Sequence, residues 1–200
     1  MLMKNNISRR LALSSLITMV LSSEAVFAET VASSASVVVQ NSFTLVETTP
    51  LSFGTVVAIA ENNSSVTNDN ATLVVSPNPA TADVITNGTL AKLTPIVAST
   101  EATFTISGAA PNTALNITLP NAFDLTDPSL TDTKDFKITA PTSFVTTSGT
   151  AFTFDTDGTG NMVFNMGATL STDTTLAIGA GAIPYSNVTF TGTYTMTVNY

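Results

Sequence analysis

An all-β fold, built as antiparallel sheets stacked on a shared core, is what this sequence predicts, and three observations carry the expectation. Thr, Val and Phe are abundant beyond residue 28, while Leu, Glu, Lys and Arg at helical spacing are missing, so strand propensity dominates. Short apolar runs recur along the chain, separated by stretches rich in Asn, Asp, Gly, Pro and Ser, the spacing of a sandwich or a barrel. Alternation at period two buries one face of a strand and wets the other, which suits antiparallel sheets packed face to face.

Residues 1–28 read as an export signal rather than as structure. Lys4, Arg9 and Arg10 precede the apolar stretch Leu11 to Val20, and Val26 and Ala28 suit cleavage after Ala28. Ser14, Ser15, Thr18, Ser22, Ser23 and Glu24 break the run, which is too interrupted to serve as the anchor of about 20 apolar residues that a membrane span needs. "SRRLAL" partly matches a twin-arginine signal but lacks the Phe and Lys that usually follow, so general secretory export is expected. The 172 residues from Glu29 to Tyr200 then form one domain, large enough to bury roughly 70% of its unfolded surface.

The elements follow in order. Strands are expected at "ASVVVQ" (35–40), "SFTLVE" (42–47), "LSFGTVVAI" (51–59), "ATLVVS" (71–76), "AKLTPIVA" (91–98) and "ATFTISG" (102–108). They continue at "ALNITLP" (114–120), "DFKITA" (135–140), "TAFTFD" (150–155), "GNMVFNMG" (160–167), "TTLAIGA" (174–180) and "VTFTGTYTMTVNY" (188–200). Turn and loop compositions lie at 61–70, 77–83, 108–112 and 155–161. In the closing strand Phe190, Tyr194, Met196, Val198 and Tyr200 cover the core, the threonines between face water, and Gly192 marks a bulge or a close backbone approach.

A similar alternation near the start puts Val31, Ala35, Val37 and Val39 on one face. Strands at both ends of a sandwich tend to be edges, whose free N–H and C=O groups invite another strand. Strand donation uses that hazard, and it assigns Val31, Ala35, Val37 and Val39 as the donor face and Phe190, Tyr194, Met196, Val198 and Tyr200 as the acceptor edge.

Four stretches, in order, carry a family resemblance: "LSFGTVV" at 51–57, "ATFTISGAAPNTALNITLP" at 102–120, "GTGNMVFNMGATL" at 158–170 and "FTGTYTMTVNY" at 190–200. Over residues 43–200 the chain resembles the bacterial secreted family called domain of unknown function 4402. It departs at Ala168, where that family usually has a second Gly, and at a longer approach to the closing strand. The closing strand is also similar to those of spore coat protein U-like and archaic chaperone-usher pilin domains, although the chain lacks their cysteines. The resemblance implies an immunoglobulin-like, pilin-like sandwich completed by a neighbour's strand.

Chemistry is sparse. The chain has no Cys and no His, which removes disulfides, Ser-His-Asp and Cys-His catalysis and the commonest zinc and haem ligands. Beyond the signal, Lys92, Lys134 and Lys137 face thirteen carboxylates, a net charge of −10 with no Arg, which disfavours nucleic acid and anionic lipid as partners. Paired carboxylates without Trp or a cleft do not make a glycosidase. "DTDGTGN" at 155–161 alternates acids like a calcium loop, but its register puts Thr153 and Phe164 at the first and twelfth loop positions, and it reads as a turn. The threonine row at 189–197 lacks the repeat of an ice-binding face. Six Asn-x-Ser/Thr sequons, Asn116 and Asn187 among them, matter only in a eukaryotic host.

The expected function is that of an exported, non-enzymatic structural or adhesive protein of the periplasm, cell surface or exterior, with no cofactor and no membrane span in the processed chain. Its expected partners are copies of itself or a related subunit, together with an assembly chaperone. An eight-stranded outer-membrane barrel and a monomeric binding module, with contacts in loops 62–70 and 77–83, are the alternatives.

Overall fold

The computed structural model describes residues 34, 36–37, 39, 42–61, 69–145, 154–176 and 181–200. The export segment, Val31 and Ala35 lie outside the described residues, as do residues 62–68, 146–153 and 177–180. Two units divide the chain at Val38, and the architecture below is that of residues 39–200.

Every described element is a strand: β1 (Thr44–Thr49), β2 (Thr55–Glu61), β3 (Thr72–Val74), β4 (Val84–Thr86), β5 (Lys92–Val97) and β6 (Ala102–Ser107), then β7 (Asn116–Thr118), β8 (Phe123–Leu125), β9 (Phe136–Val145), β10 (Met162–Ser171), β11 (Ala182–Pro184) and β12 (Thr197–Asn199). All pairings are antiparallel, so the all-β antiparallel expectation holds. They form a seven-stranded, a three-stranded (β11-β2-β5) and a two-stranded (β12-β7) sheet, and among the described residues none closes on itself.

The ten-residue β10 organises the large sheet. Its residues Phe164–Ser171 pair with β9 on one edge, and β6 and β3 share the other edge end to end, with β6 on Met162–Met166 and β3 on Thr169–Ser171. Period two puts Met162, Phe164, Met166, Ala168 and Leu170 on one face, each at most 2% exposed. Cross-strand register extends the row: Leu170 lies between Leu73 and Ile138, and Phe164 opposite Phe104, their rings stacked at 5.2 Å. Burying each such side chain contributes about 1.5–3 kcal/mol.

That face serves two cores. Ala168 and Leu170 join Leu73, Phe136 and Ile138 beneath Ala58 and Leu93 of the three-stranded sheet. Met162, Phe164 and Met166 join Phe104 and Ile106 against Ile117 and Val198 of the two-stranded sheet. The large sheet is thus covered on one face by two smaller sheets, one at each end.

Moving between layers takes a corner. β1 pairs with β6 and β2 with β5, and Ser52 and Thr100 exchange both backbone hydrogen bonds between them (2.9 and 2.8 Å). Residues 44–61 and 92–107 therefore form one two-stranded ribbon that bends from one sheet to the other. Gly54 makes the bend: its φ is 70°, and a Cβ there would lie 2.2 Å from the Val97 carbonyl oxygen.

Several expectations need correction. β4, β8 and β11 fall in stretches where no strand is expected from the sequence, because each is only three residues long, below the length at which alternation can be recognised. Thr174, Thr175 and Leu176 belong to no strand. Described residues Val37 and Val39 are exposed and lie in no strand, so the expected 35–40 strand is not seen at them. The closing segment is not one continuous strand: Thr191 bridges to Thr126, residues 192–196 are unassigned, and only Thr197–Asn199 pairs, with β7. The burial alternation nevertheless holds there, with Phe190, Tyr194, Met196 and Val198 half-buried and Thr189, Thr191, Thr193, Thr195 and Thr197 exposed. The segment leaves one layer for the other at Gly192, where a Cβ would meet the Asp124 carbonyl oxygen at 2.4 Å.

Gly54→Ala is expected to destabilise the fold by roughly 2–4 kcal/mol, combining left-handed strain with a backbone clash. Gly158→Ala, in open space, should stay within about 0.5 kcal/mol. Urea midpoints at unchanged slope measure both.

Candidate functional site

The bent ribbon and residues 186–200 run side by side without backbone pairing among the described residues. Among the described residues β1 pairs only with β6, and β12 only with β7. The β2–β11 ladder ends at Ile59 opposite Pro184, followed by one last bond from Tyr185 N–H to the Ala58 carbonyl (3.1 Å). A tight turn, Val188 N–H to Ser186 C=O at 2.9 Å, then carries the chain away from β2.

A gap opens where they part. It holds a cavity of about 720 Å³ between residues 51–58 and 184–194, floored by Phe123, Leu125, Phe136 and Leu170. Its apolar lining continues along the other core, where Phe43 and Leu45 of the ribbon face Tyr194, Met196 and Val198, all partly buried. Side chains span the gap at two points. Tyr194 Oη donates to Glu47 Oε1 at 2.6 Å, and the Phe43 and Tyr200 rings meet edge to face at 5.5 Å. Phe43 opposes Tyr200 and Glu47 opposes Tyr194, so the two flanks run antiparallel.

Of the residues assigned to the acceptor edge, the structure brings Phe190, Tyr194, Met196, Val198 and Tyr200 to this one margin. Tyr200 is 46% exposed, and its hydroxyl accepts from Ala110 N–H at 3.0 Å. The other flank, from Phe43 to Val56, was not singled out in the sequence, because its relation to the 184–200 segment arises only when the ribbon bends at Gly54.

A polar knot fixes the wall at 184–186. Tyr185 stacks on Phe136 at 4.2 Å, while its hydroxyl accepts from Asp173 N–H (2.7 Å) and donates to the Asp135 carbonyl (3.1 Å). Burial pushes the Tyr185 hydroxyl pKa well up. Asp132 accepts from Ser186 N–H at 2.6 Å and pairs with Lys134 at 2.6 Å. Burial opposes ionisation of Asp132, but these bonds outweigh it and lower its pKa. Asp127, 2% exposed, accepts from Thr131 Oγ1 and from the N–H groups of Ser129, Thr131 and Asp132, and the Thr131 hydroxyl leads the causes that hold it well below the usual carboxylate range.

The remaining candidate groups are similarly engaged. In "DTDGTGN" the Asp157 carboxylate accepts from Thr159 N–H, Thr159 Oγ1 and Asn161 N–H (2.8, 2.8 and 2.9 Å), closing a turn. The backbone bond from Asn161 and the Thr159 hydroxyl lower its pKa. The three described lysines each have a partner: Lys92 the Gly88 carbonyl, Lys134 Asp132, and Lys137 Asp124. Loop 77–83 is closed by Asp83, which accepts from Ser76 N–H at 2.9 Å. No described helix is long and apolar enough to cross a membrane. Comparison with family models, curated proteins and solved structures finds no match to this chain.

One carboxylate pair carries a pH dependence. Glu61 ends β2 almost fully buried, with Oε2 unpartnered, and bonds to Asp69. Asp69 in turn accepts from Thr89, Leu90 and Ala91 N–H groups (2.7, 2.6 and 3.1 Å). Burial, then the Asp69 hydrogen bond and charge, raise the Glu61 pKa. Burial also works against ionised Asp69, but its backbone bonds outweigh it and lower its pKa. A raised folded pKa means that stability from Glu61 is full at low pH and is lost as pH rises through that value. Glu61→Gln is therefore expected to match the wild type below the ordinary Glu value of 4.5 and to exceed it as pH rises above that value, as read from urea midpoints; a difference that does not change with pH contradicts the assignment.

Proposed function

We propose that this chain is an exported, non-enzymatic structural or adhesive subunit with an immunoglobulin-like, pilin-like sandwich, and that it assembles by accepting a neighbour's strand into the gap between the 43–58 ribbon and the 184–200 segment. The observation that carries this reading is the gap itself. It is apolar-lined and bounded by two antiparallel flanks that, beyond the Tyr185 N–H to Ala58 C=O bond closing one end, make no backbone hydrogen bonds to each other among the described residues. A strand laid there extends both sheets by main-chain pairing while alternate side chains enter the core.

The proposed occupant is residues 29–41 of a second copy. That segment precedes Phe43, which sits against Tyr200 at one mouth of the gap. Its Val31, Ala35, Val37 and Val39 fall on one face, and it carries no lysine or arginine that would have to be desolvated. The described members of the donor row, Val37 and Val39, are 85% and 70% exposed. An assembly chaperone would occupy the same gap before subunits meet. The proposed place among domain of unknown function 4402 proteins rests on the four motifs, and Gly54 and Gly167 give two of them a physical reason. A Cβ on Gly167 would lie 2.1 Å from the Val75 carbonyl oxygen, whereas Ala168 packs its methyl in the core.

The chain lacking residues 1–28 is expected to form oligomers by size-exclusion chromatography, visible by negative-stain microscopy, and to become monomeric when residues 29–40 are also removed. Monomers in both cases reject strand donation. Recovery from the periplasm without detergent separates this reading from the outer-membrane barrel.

A further inference from the structure

We propose that Tyr194 and Glu47, backed by Phe43 and Tyr200, form a clasp across the gap that an incoming strand must open. The proposal rests on the strand-acceptor reading and concerns how that site is regulated.

The geometry is specific. Tyr194 lies on the half-buried phase of the 190–200 segment, and Glu47 lies in phase with Phe43 and Leu45 on the ribbon. Tyr194 is half-buried and Glu47 exposed, and their side chains join across the gap at 2.6 Å, although 147 residues separate them in sequence. A strand inserted between the flanks would need them roughly 9–10 Å apart, twice the inter-strand spacing. Its core-directed side chains would enter the volume where the phenol and the carboxylate now meet. Entry therefore requires this bond to break.

The bond is also strong for its setting. A phenol donating to a carboxylate at this length is charge-assisted. Desolvation, then the hydrogen bond and charge of Glu47, raise the Tyr194 pKa, so the phenol keeps the proton that it donates. Its ring packs on Phe123 at 5.3 Å, which fixes the direction of the hydroxyl. Tyr200 is held in turn by Ala110 N–H and presents its ring to the edge contact with Phe43. The clasp thus has a polar and an apolar contact, both reaching from the 190–200 segment to β1, and neither needed for any described strand pairing.

A fluorescein-labelled peptide of residues 29–41, mixed by stopped flow with the monomeric fraction of the chain lacking residues 1–28, tests the clasp. Tyr194→Phe is expected to raise the association rate about tenfold and lower Kd by the same factor, leaving dissociation unchanged, the size expected for one charge-assisted hydrogen bond. Glu47→Gln reads the same bond from the exposed edge without touching the packed ring, and should shift the rate in the same direction. The double variant should gain little beyond Tyr194→Phe, because both remove one contact. Peptide binding at equal or slower rates in both single variants rejects the clasp and leaves the strand-acceptor reading standing. Absence of peptide binding to every form rejects both.

Discussion

The fold depends on a single row of side chains. Met162, Phe164, Met166, Ala168 and Leu170 of β10 face one way along ten residues, and that row belongs to both cores. Neither the three-stranded nor the two-stranded sheet is long enough to cover it alone. Each covers one end, and the chain must change layers wherever it passes from one to the other. Gly54 marks the place where the ribbon's crossing brings backbone against backbone closer than a Cβ allows, and Gly167 and Gly192 are two further close backbone approaches. Gly54 follows from the layering, and the layering follows from the length of one apolar face.

The gap is a consequence of the same constraint. The ribbon changes layers at Ser52 and Thr100, held by a reciprocal pair of hydrogen bonds. The 184–200 segment crosses separately, pairing with Ala58 through Tyr185, then with Thr126 through Thr191, then with β7. These partners lie on different elements, so the segment is tied down at intervals while its ribbon-facing margin stays open. The Asp132–Ser186 bond and the Tyr185 knot hold one wall in place, so the opening is built into the fold rather than left by loose packing.

The sequence made the fold class legible, together with the burial phase of β6 and of most of residues 189–198. Phe104, Phe164 and Leu170 are core residues on alternation alone, and the 190–200 segment keeps its predicted phase even where it is not a strand. Pairing was not legible, because period two fixes which face is buried and leaves the partner open. The closing segment shows the limit: its unbroken alternation predicts one strand, whereas tertiary structure divides it at Gly192 between two partners. Tyr194, Met196, Val198 and Tyr200 were singled out from phase, but Phe43, Glu47, Leu51 and Phe53 on the opposite flank were not. Their role depends on the bend at Gly54, and a lone glycine in a strand pattern signals only that something approaches closely. Short elements such as β8 carry too few residues for any period to register.

The distribution of edge protection bears on how the gap is used. β5 exposes an edge of six residues, and it carries Lys92 and Pro95, both of which discourage another strand. β8 places Asp124 in an ion pair with Lys137, and β4 is only three residues long. β11 ends in Pro184. The margins facing the gap contain no Lys, and although Pro50 and Pro184 stand on the same flanks, residues 43–49 and 185–200 contain no Pro and place Leu45, Met196 and Val198 against the second core. The Glu47 carboxylate on this margin accepts a hydrogen bond from the Tyr194 hydroxyl across the gap. A chain under pressure only to avoid association would guard its longest apolar margin first. Here β5 and β11 carry prolines and β4 and β8 are three residues long, whereas the margin facing the gap has a bond that one donor or acceptor can replace, which supports the view that this edge is held for a partner.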